Sequence, residues 1–428
     1  MDTSLQNTED ELNAEETVEA LAEPTQRKTW RWQILYWFAN ATIGFGNIVF
    51  YTILLPAKIA SILPADQTNA FIVISGVGAV ASLLTNPLVG ALSDRTTSPL
   101  GRRFPWLLVG MAFLLLAMLV LAGASTPIIL GIGSVCLQIA INILLAALSA
   151  VIPDQVPISQ RATVGAFGGM APLVGGLLGQ ILVGQVFRDI NTAFLDLGLI
   201  SVICLLAFSL VLRESALPKE AAQPFRLSDL GRSLWLNPLT HPEFALVWMA
   251  RTLVFLASTT IINYLFYYLQ AERLFSPTTA ATGVQQFFSV YVIAILFASL
   301  SSGKASDLLQ RRKPFVIGGS LLMAVGVGLL IVAPLWPVVL VASAVVGAGF
   351  GVYLSCDLAL ASQLLPAARH RGKDFGLMNM AIFLPMLLAT GIAAIALDQL
   401  HSFPVLLSVI LVGVLIAAVL ILPIKSVR

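Results

Sequence analysis

Residues 90–106 read GALSDRTTSPLGRRFPW, and residues 303–315 read GKASDLLQRRKPF. Gly90, Ser93 and Asp94 match Gly303, Ser306 and Asp307 at an offset of 213, whereas Arg102, Arg103 and Pro105 match Arg311, Arg312 and Pro314 at 209. A four-residue shortening of the second copy accounts for the change, and the offset of 209 persists to Pro157 and Pro366. Each copy is a polar, arginine-rich loop set between long apolar stretches. The chain is therefore expected to be an internal duplication, two parallel halves of about half the length each.

Composition says what surrounds those loops. Of 428 residues, 58% are hydrophobic and 11% are charged, against roughly a quarter charged in ordinary soluble proteins. A bilayer helix takes about 20 mostly apolar residues, and charge inside hydrocarbon is costly, so uncharged intervals measure how much chain can lie there. Arg103 to Asp154 and Lys313 to Asp357 are each long enough for two crossings. Extended along the chain, this reading places helices near 32–55, 70–92, 105–124, 128–152, 163–187, 194–212, 243–270, 283–303, 314–333, 337–363, 374–397 and 403–424. The expected fold class is an all-α membrane protein of twelve transmembrane helices in two parallel six-helix halves. The expected organisation is an acidic cytoplasmic tail 1–31, a first half 32–212, a cytoplasmic linker 213–242, a second half 243–424 and a tail 425–428.

Orientation follows from lysine and arginine in the loops. With the N-terminus inside, 20 basic residues fall on inner segments and three, Lys58, Arg188 and Arg273, on outer ones, leaving only Arg251 within a span. Both termini are expected in the cytoplasm of a cell membrane, inner or plasma. Residues 1–26 hold eight acidic side chains and no basic one, which does not fit a secretory leader. The net charge of +2 gives no reason to expect a nucleic-acid partner, and a monomer is expected. Cys136, Cys204 and Cys356 form no CxxC and have no histidine at ligand spacing, so neither a disulfide frame nor a metal site is expected.

The loop GALSDRTTSPLGRR, with its echo at 303–312, resembles the signature loop between helices 2 and 3 of the major facilitator superfamily. Its longer form, S-D-R-x-x-S-x-x-G-R-R-x-P-W, resembles the glycoside-pentoside-hexuronide cation symporters and the related sucrose-type proton symporters. The resemblance implies alternating access and a cytoplasmic gate in which Asp94 faces the start of helix 11 and Asp307 the start of helix 5. Arg95, Arg102, Arg103, Arg311 and Arg312 belong to the same loops, and Arg161 and Arg371 precede helices 5 and 11. The sodium-coupled melibiose-type members carry carboxylates within helix 2, whereas residues 67–93 hold none. A proton gradient is therefore expected as the driving force rather than sodium, with no cofactor.

The same resemblance makes helices 1, 4, 7 and 10 the cavity lining. Polar residues recur on them at helical spacing: Tyr36, Asn40, Asn47 and Tyr51 on helix 1, Gln138 and Asn142 on helix 4, and Thr259, Asn263, Tyr267 and Gln270 on helix 7. Hydroxylated solutes need amide and phenol partners, so these stripes suit a sugar or glycoside; hydrogen bonding between helices is the competing use. Arg251 lies nine residues past Pro242 and Asp357 nine before Pro366, so both reach a depth of roughly 13 Å from one side. Two charges at matching depth are expected to pair, with Asp357 exchanging the proton. Two alternatives stand beside proton–sugar symport. One is transport of amphipathic, drug-like or lysolipid cargo; the other is a receptor or assembly factor that keeps the fold without transport. No serine–histidine, histidine–glutamate or paired-carboxylate set lies in the spans, so no enzyme is expected.

Overall fold

A computed structural model describes residues 24–187, 189–212, 214, 217–218, 242–276, 279–309, 311–364, 381 and 384–424. Among them every regular element is helical. In chain order these are α1 (Trp30–Ile62), α2 (Gln67–Asp94), α3 (Phe104–Ala122), α4 (Pro127–Gln155), α5 (Ile158–Val186), α6 (Ile190–Val211), α7 (Pro242–Ala271), α8 (Ala280–Leu309), α9 (Lys313–Val332), α10 (Trp336–Leu364), α11 (Leu384–Gln399) and α12 (Phe403–Ile421). Eleven are long and apolar enough to cross a bilayer; Leu384–Gln399 is the shorter, apolar remainder of the expected helix at 374–397. The acidic tail up to Glu23 and nearly all of the linker lie outside the described residues.

Helix starts are set locally. Thr126 accepts the Ile129 N–H and Asp189 accepts those of Asn191 and Thr192, while Ser402 serves Val405. Each replaces water for an N–H that has no partner inside its helix. Pro105, Pro127, Pro314 and Pro404 stand in first turns, where a missing N–H costs nothing.

Helix α1 departs from the expected 32–55. Its middle, Phe45–Leu54, is π-helical, and the helix runs on through Leu55–Ile62. Pro56 stands in the first turn of that last stretch, where a prolyl nitrogen is tolerated, so the chain turns only at residues 63–66. Lys58, expected in an outer loop, is consequently buried within the helix at 5% exposure. Within this π-helical stretch Asn47 is half-buried and Tyr51 is buried.

Contacts group the chain into two compact units. The first comprises Met1–Val49, Leu84–Gly179 and Phe187–Leu230. In it α3 packs on α4 and α6, and the start of α1 packs on α6 through Trp32, Tyr36 and Phe208, whose rings lie 5.4–5.5 Å apart. Close approach of α1 and α5 depends on glycine: a Cβ on Gly176 would meet the Ile48 side chain at 2.9 Å, and one on Gly179 the Val49 side chain at 2.7 Å.

The second unit comprises Phe50–Leu83, Gln180–Val186 and Gly231–Arg428. Helix α10 packs against both α8 and α9, and α12 against α7 and α9. Phe71 of α2 sits edge-on to Tyr264 and Tyr267 of α7, with ring centres 5.3 and 5.2 Å away. Backbone meets backbone between α9 and α10. A Cβ on Gly319 would lie 2.8 Å from the Gly349 carbonyl oxygen and the Tyr353 nitrogen, and one on Gly349 would lie 2.6 Å from the Met323 nitrogen. Gly318, one residue away, has open space.

Backbone cannot step aside as a side chain can, so Gly349→Ala is expected to cost about 1–3 kcal/mol, and Gly318→Ala less than about 0.5 kcal/mol. Thermal unfolding of the two purified variants checks this, and equal losses would remove the close-packing account.

Candidate functional site

Inside the second unit, α7 and α10 bring Arg251 and Asp357 into direct contact, Nη1 against Oδ2. Neither is open to solvent: the Asp357 side chain is 0% exposed and that of Arg251 is 6%. The guanidinium also stacks over Phe255, one turn along α7, at 5.0 Å. Phe255 packs edge-on against Phe350 at 5.3 Å, and Tyr291 stacks on Phe350 at 6.4 Å. An aromatic shell thus keeps water from the pair.

Desolvation of two charges is repaid only when the remaining lone pairs and N–H groups also find partners. Here they do not all do so. Asp357 Oδ1, Arg251 Nε and Tyr353 Oη are buried without a hydrogen bond among the described residues. The centre combines a carboxylate, a permanent cation and spare hydrogen-bonding capacity in a dry interior. Such a group can hold a proton on one occasion and a salt bridge on another.

A second charged cluster belongs to the first unit, at the end where α2 meets α3. Arg103, 4% exposed, is its centre: Nη2 pairs with Asp94 at 2.6 Å, Nε with Asp154 at 2.8 Å, and Nη1 donates to Ser93 Oγ. Arg102 adds a contact to Asp154 at 3.1 Å. Glu214 accepts the backbone N–H groups of Arg103 (2.8 Å) and Phe104 (3.1 Å), which caps α3 with a negative charge at its positive end. Burial pushes the Glu214 carboxyl above its usual range, and the two donors and the Arg103 charge pull against that. Gly101, at φ 98°, turns the chain beneath Glu214, and a side chain there would strike that carboxylate. Trp106 Nε1 donates to Thr96 Oγ1 at 2.8 Å and ties the two ends of the loop together.

The other expected gate residues are placed as follows. Arg95 donates to the Ala91 carbonyl of its own helix, and Arg161 to the Val156 and Pro153 carbonyls at the end of α4, the natural place for a cation. Arg312 is the N-cap of α9, and Arg311 bonds through its backbone to Ser306. Arg371 and the start of helix 11 lie outside the described residues, as does the side chain of Asp307. Asp94 therefore meets Arg103 here, and its expected helix 11 partner is not among the described residues.

The polar stripes divide by use. Tyr36 donates its hydroxyl to the Leu148 carbonyl at 3.1 Å inside an aromatic cluster, and Asn40 Nδ2 returns to the Tyr36 carbonyl at 2.8 Å. Asn142 Nδ2 bonds to the Gln138 carbonyl at 2.8 Å, leaving the buried Asn142 Oδ1 without a partner. The Tyr267 hydroxyl is likewise buried and without a hydrogen bond among the described residues. On α7 the half-buried positions Phe255, Thr259 and Asn263 recur every four residues; Asn47 on α1 is also half-buried.

The sequence aligns with the family described as Major Facilitator Superfamily over residues 36–284 and 247–427. The chain belongs to this superfamily. Its similarity to individual relatives is local. It is 39% identical over 64 residues to an uncharacterized symporter of Synechocystis sp., and 28% identical over 152 residues to a general alpha-glucoside permease of Schizosaccharomyces pombe. These stretches are 15% and 32% of this chain, and they span only 11% and 27% of those relatives. Among solved structures, a bacterial homolog of the human lysosomal transporter Spinster in an inward-facing, occupied conformation superposes with a TM-score of 0.66 at 14% identity, over 93% of this chain and 97% of that one. The unoccupied inward-facing form gives 0.63. This likeness is one of fold. Membership in this superfamily makes the protein a multi-pass membrane transporter, not an enzyme.

The signature loop of this superfamily member is held mainly by Asp154, which the sequence reading did not single out. Asp154 is 17% exposed and serves two arginines, whereas Asp94 is 60% exposed and serves one. Asp154→Asn is expected to cost about 1–3 kcal/mol, and Asp94→Asn less than about 1 kcal/mol, by thermal melting of the purified protein in detergent. The reverse order would make Asp94 the anchor of the loop.

Proposed function

We propose that this transporter moves a small hydroxylated solute, a sugar or glycoside, by proton-coupled symport through alternating access. The observation that carries the reading is the buried pair of Arg251 and Asp357. An ion pair in a dry interior is weak support for stability, and ionisable groups within spans usually serve transport.

The coupling follows from charge balance. The Arg251 charge in contact favours the anionic form of Asp357 over the same carboxylate left unpaired. When the contact opens, an unpaired carboxylate in a dry site is costly, and taking a proton on the carboxylate removes that cost. Protonation and opening of the pair therefore favour each other, and a proton gradient drives the cycle. Residues 67–93 contain no carboxylate for sodium, so the proton is the coupling ion in this reading, and no cofactor takes part.

The sugar assignment draws support from the permease named above and from groups free to meet hydroxyls: Asn142 Oδ1 and the Tyr267 phenol beside the Phe71 ring. Asn263, Asn47 and Gln138 supply further amides. The charge asymmetry of the loops favours a cell membrane with both termini cytoplasmic, and the protein works as a monomer in this reading. Reporter fusions after residues 228 and 428 should both read as cytoplasmic, and an external signal from either would overturn the topology.

The transport test uses proteoliposomes. A thermal-shift panel of sugars, glycosides and amphiphiles selects the solute, and its uptake is followed under an imposed proton gradient. Wild type should accumulate it, while Asp357→Asn should fall to the equilibrium level yet still exchange solute between equal compartments. Undiminished accumulation by the variant would take Asp357 out of the coupling. A hit confined to amphiphiles would replace the sugar reading with lipid or drug-like cargo.

A further inference from the structure

Tyr353 lies four residues before Asp357 on α10, hence on the same helical face. The ring is fully buried, and its hydroxyl lies beside the carboxylate without completing a hydrogen bond in the present arrangement. The second oxygen of Asp357, Oδ1, is equally unmatched, because Arg251 engages Oδ2. A buried donor and a buried acceptor left side by side on one helix face are an uncommon pairing, since nearly all such groups in folded proteins are satisfied. Each alone forfeits a hydrogen bond worth having.

The surroundings offer no other candidate. Among the described residues, the charged or titratable groups facing the carboxylate are Arg251 from α7 and Tyr353 from its own helix. On α8, Lys304 is exposed and the Tyr291 hydroxyl is engaged with Ser258 Oγ at 2.7 Å. On α9, Lys313 is engaged with the Leu422 and Ile424 carbonyls. The neighbouring Cys356 thiol is 3.6 Å from Ser355 Oγ, which in turn is 2.8 Å from Ser302 Oγ across the α8 interface.

We infer that Tyr353 is a positioning residue for Asp357, the second hydrogen-bond donor that takes over the carboxylate when Arg251 withdraws. Arg251 rides on α7 and can be carried away from Asp357 by movement of that helix. Tyr353 cannot, because it shares a helix with Asp357. Gly319 and Gly349 hold that helix close against α9 at the level of Tyr353. With the salt bridge open, the phenol donates to Oδ1 and keeps the anion affordable for part of the cycle. The tyrosine thereby sets how tightly the proton is held, without itself losing a proton. This rests on the reading of Asp357 as the proton site, and the test separates the two.

The test needs no solute. Infrared spectra of the purified full-length protein in nanodiscs, titrated with pH, isolate the protonated Asp357 carboxyl as the difference between wild type and Asp357→Asn. A hydrogen bond to the charged form lowers its proton affinity, so Tyr353→Phe should raise the titration midpoint by about one pH unit. Fluorotyrosine at 353, a stronger donor of nearly the same size, should lower it. Should Tyr353→Phe fail to fold, the fluorotyrosine protein decides alone. A midpoint that ignores these changes overturns the role of Tyr353 while leaving Asp357 as the proton site. A wild-type protein with no titrating Asp357 band overturns both.

Discussion

The cost of placing charge in hydrocarbon governs this protein at every scale. It confines arginine and lysine to the ends of the helices, and it gathers those that remain near the interface into clusters that cancel. Arg103 is the plainest case. One planar guanidinium, almost fully buried, serves Asp94, Asp154 and Ser93 at once, a task suited to a rigid fork of donors and not to a flexible ammonium. Around it the loop closes, α3 begins under the Glu214 carboxylate, and α4 returns to the same end.

The same cost gives the ion pair of α7 and α10 its meaning. Arg251 and Asp357 neutralise one another but leave Asp357 Oδ1 and Arg251 Nε unmatched. A structural ion pair would be expected to complete its hydrogen bonds, since incomplete buried networks are worse than apolar packing. Incompleteness is useful to a group that must change its charge state and partners during a cycle. Elsewhere the helices meet through glycine and through hydroxyls bonded to carbonyls, as Ser343 is to Phe287 and Ser299 to Gly351. Such contacts let apolar helices lie close without specific charge.

The contact of Arg251 with Asp357 is legible in the sequence. Arg251 and Asp357 were paired by counting residues from the prolines that mark the membrane boundary, and the count works because a helix rises by a constant amount per residue. Asp154 carried a signal that went unused. It closes the uncharged interval opened by Arg103, and two crossings return the chain to the side from which it left, so the charges at the two ends of that interval were bound to be neighbours. Tyr36 is ambiguous in sequence for the opposite reason. Its spacing with Asn40 suits a polar face, yet a phenol also packs well among aromatic rings, and only the position of the Leu148 carbonyl decides which use prevails.

Sequence alone determined the helical class, the rough number and extent of the helices, and the pairing of Arg251 with Asp357. These depend on the hydrophobicity and length of local segments and on the fixed geometry of an α-helix. Tertiary structure decided what each polar group touches. It turned α1 into a π-helix at Phe45–Leu54 and carried the helix on to Ile62. It also made Arg103 rather than Asp94 the centre of its loop, and set Tyr353 beside Asp357 with both groups short of a partner. Helices that are apolar on every side carry little information about which face meets which neighbour. That choice is made by close packing among glycines, aromatic rings and the few polar groups, and it exists only once the helices are assembled.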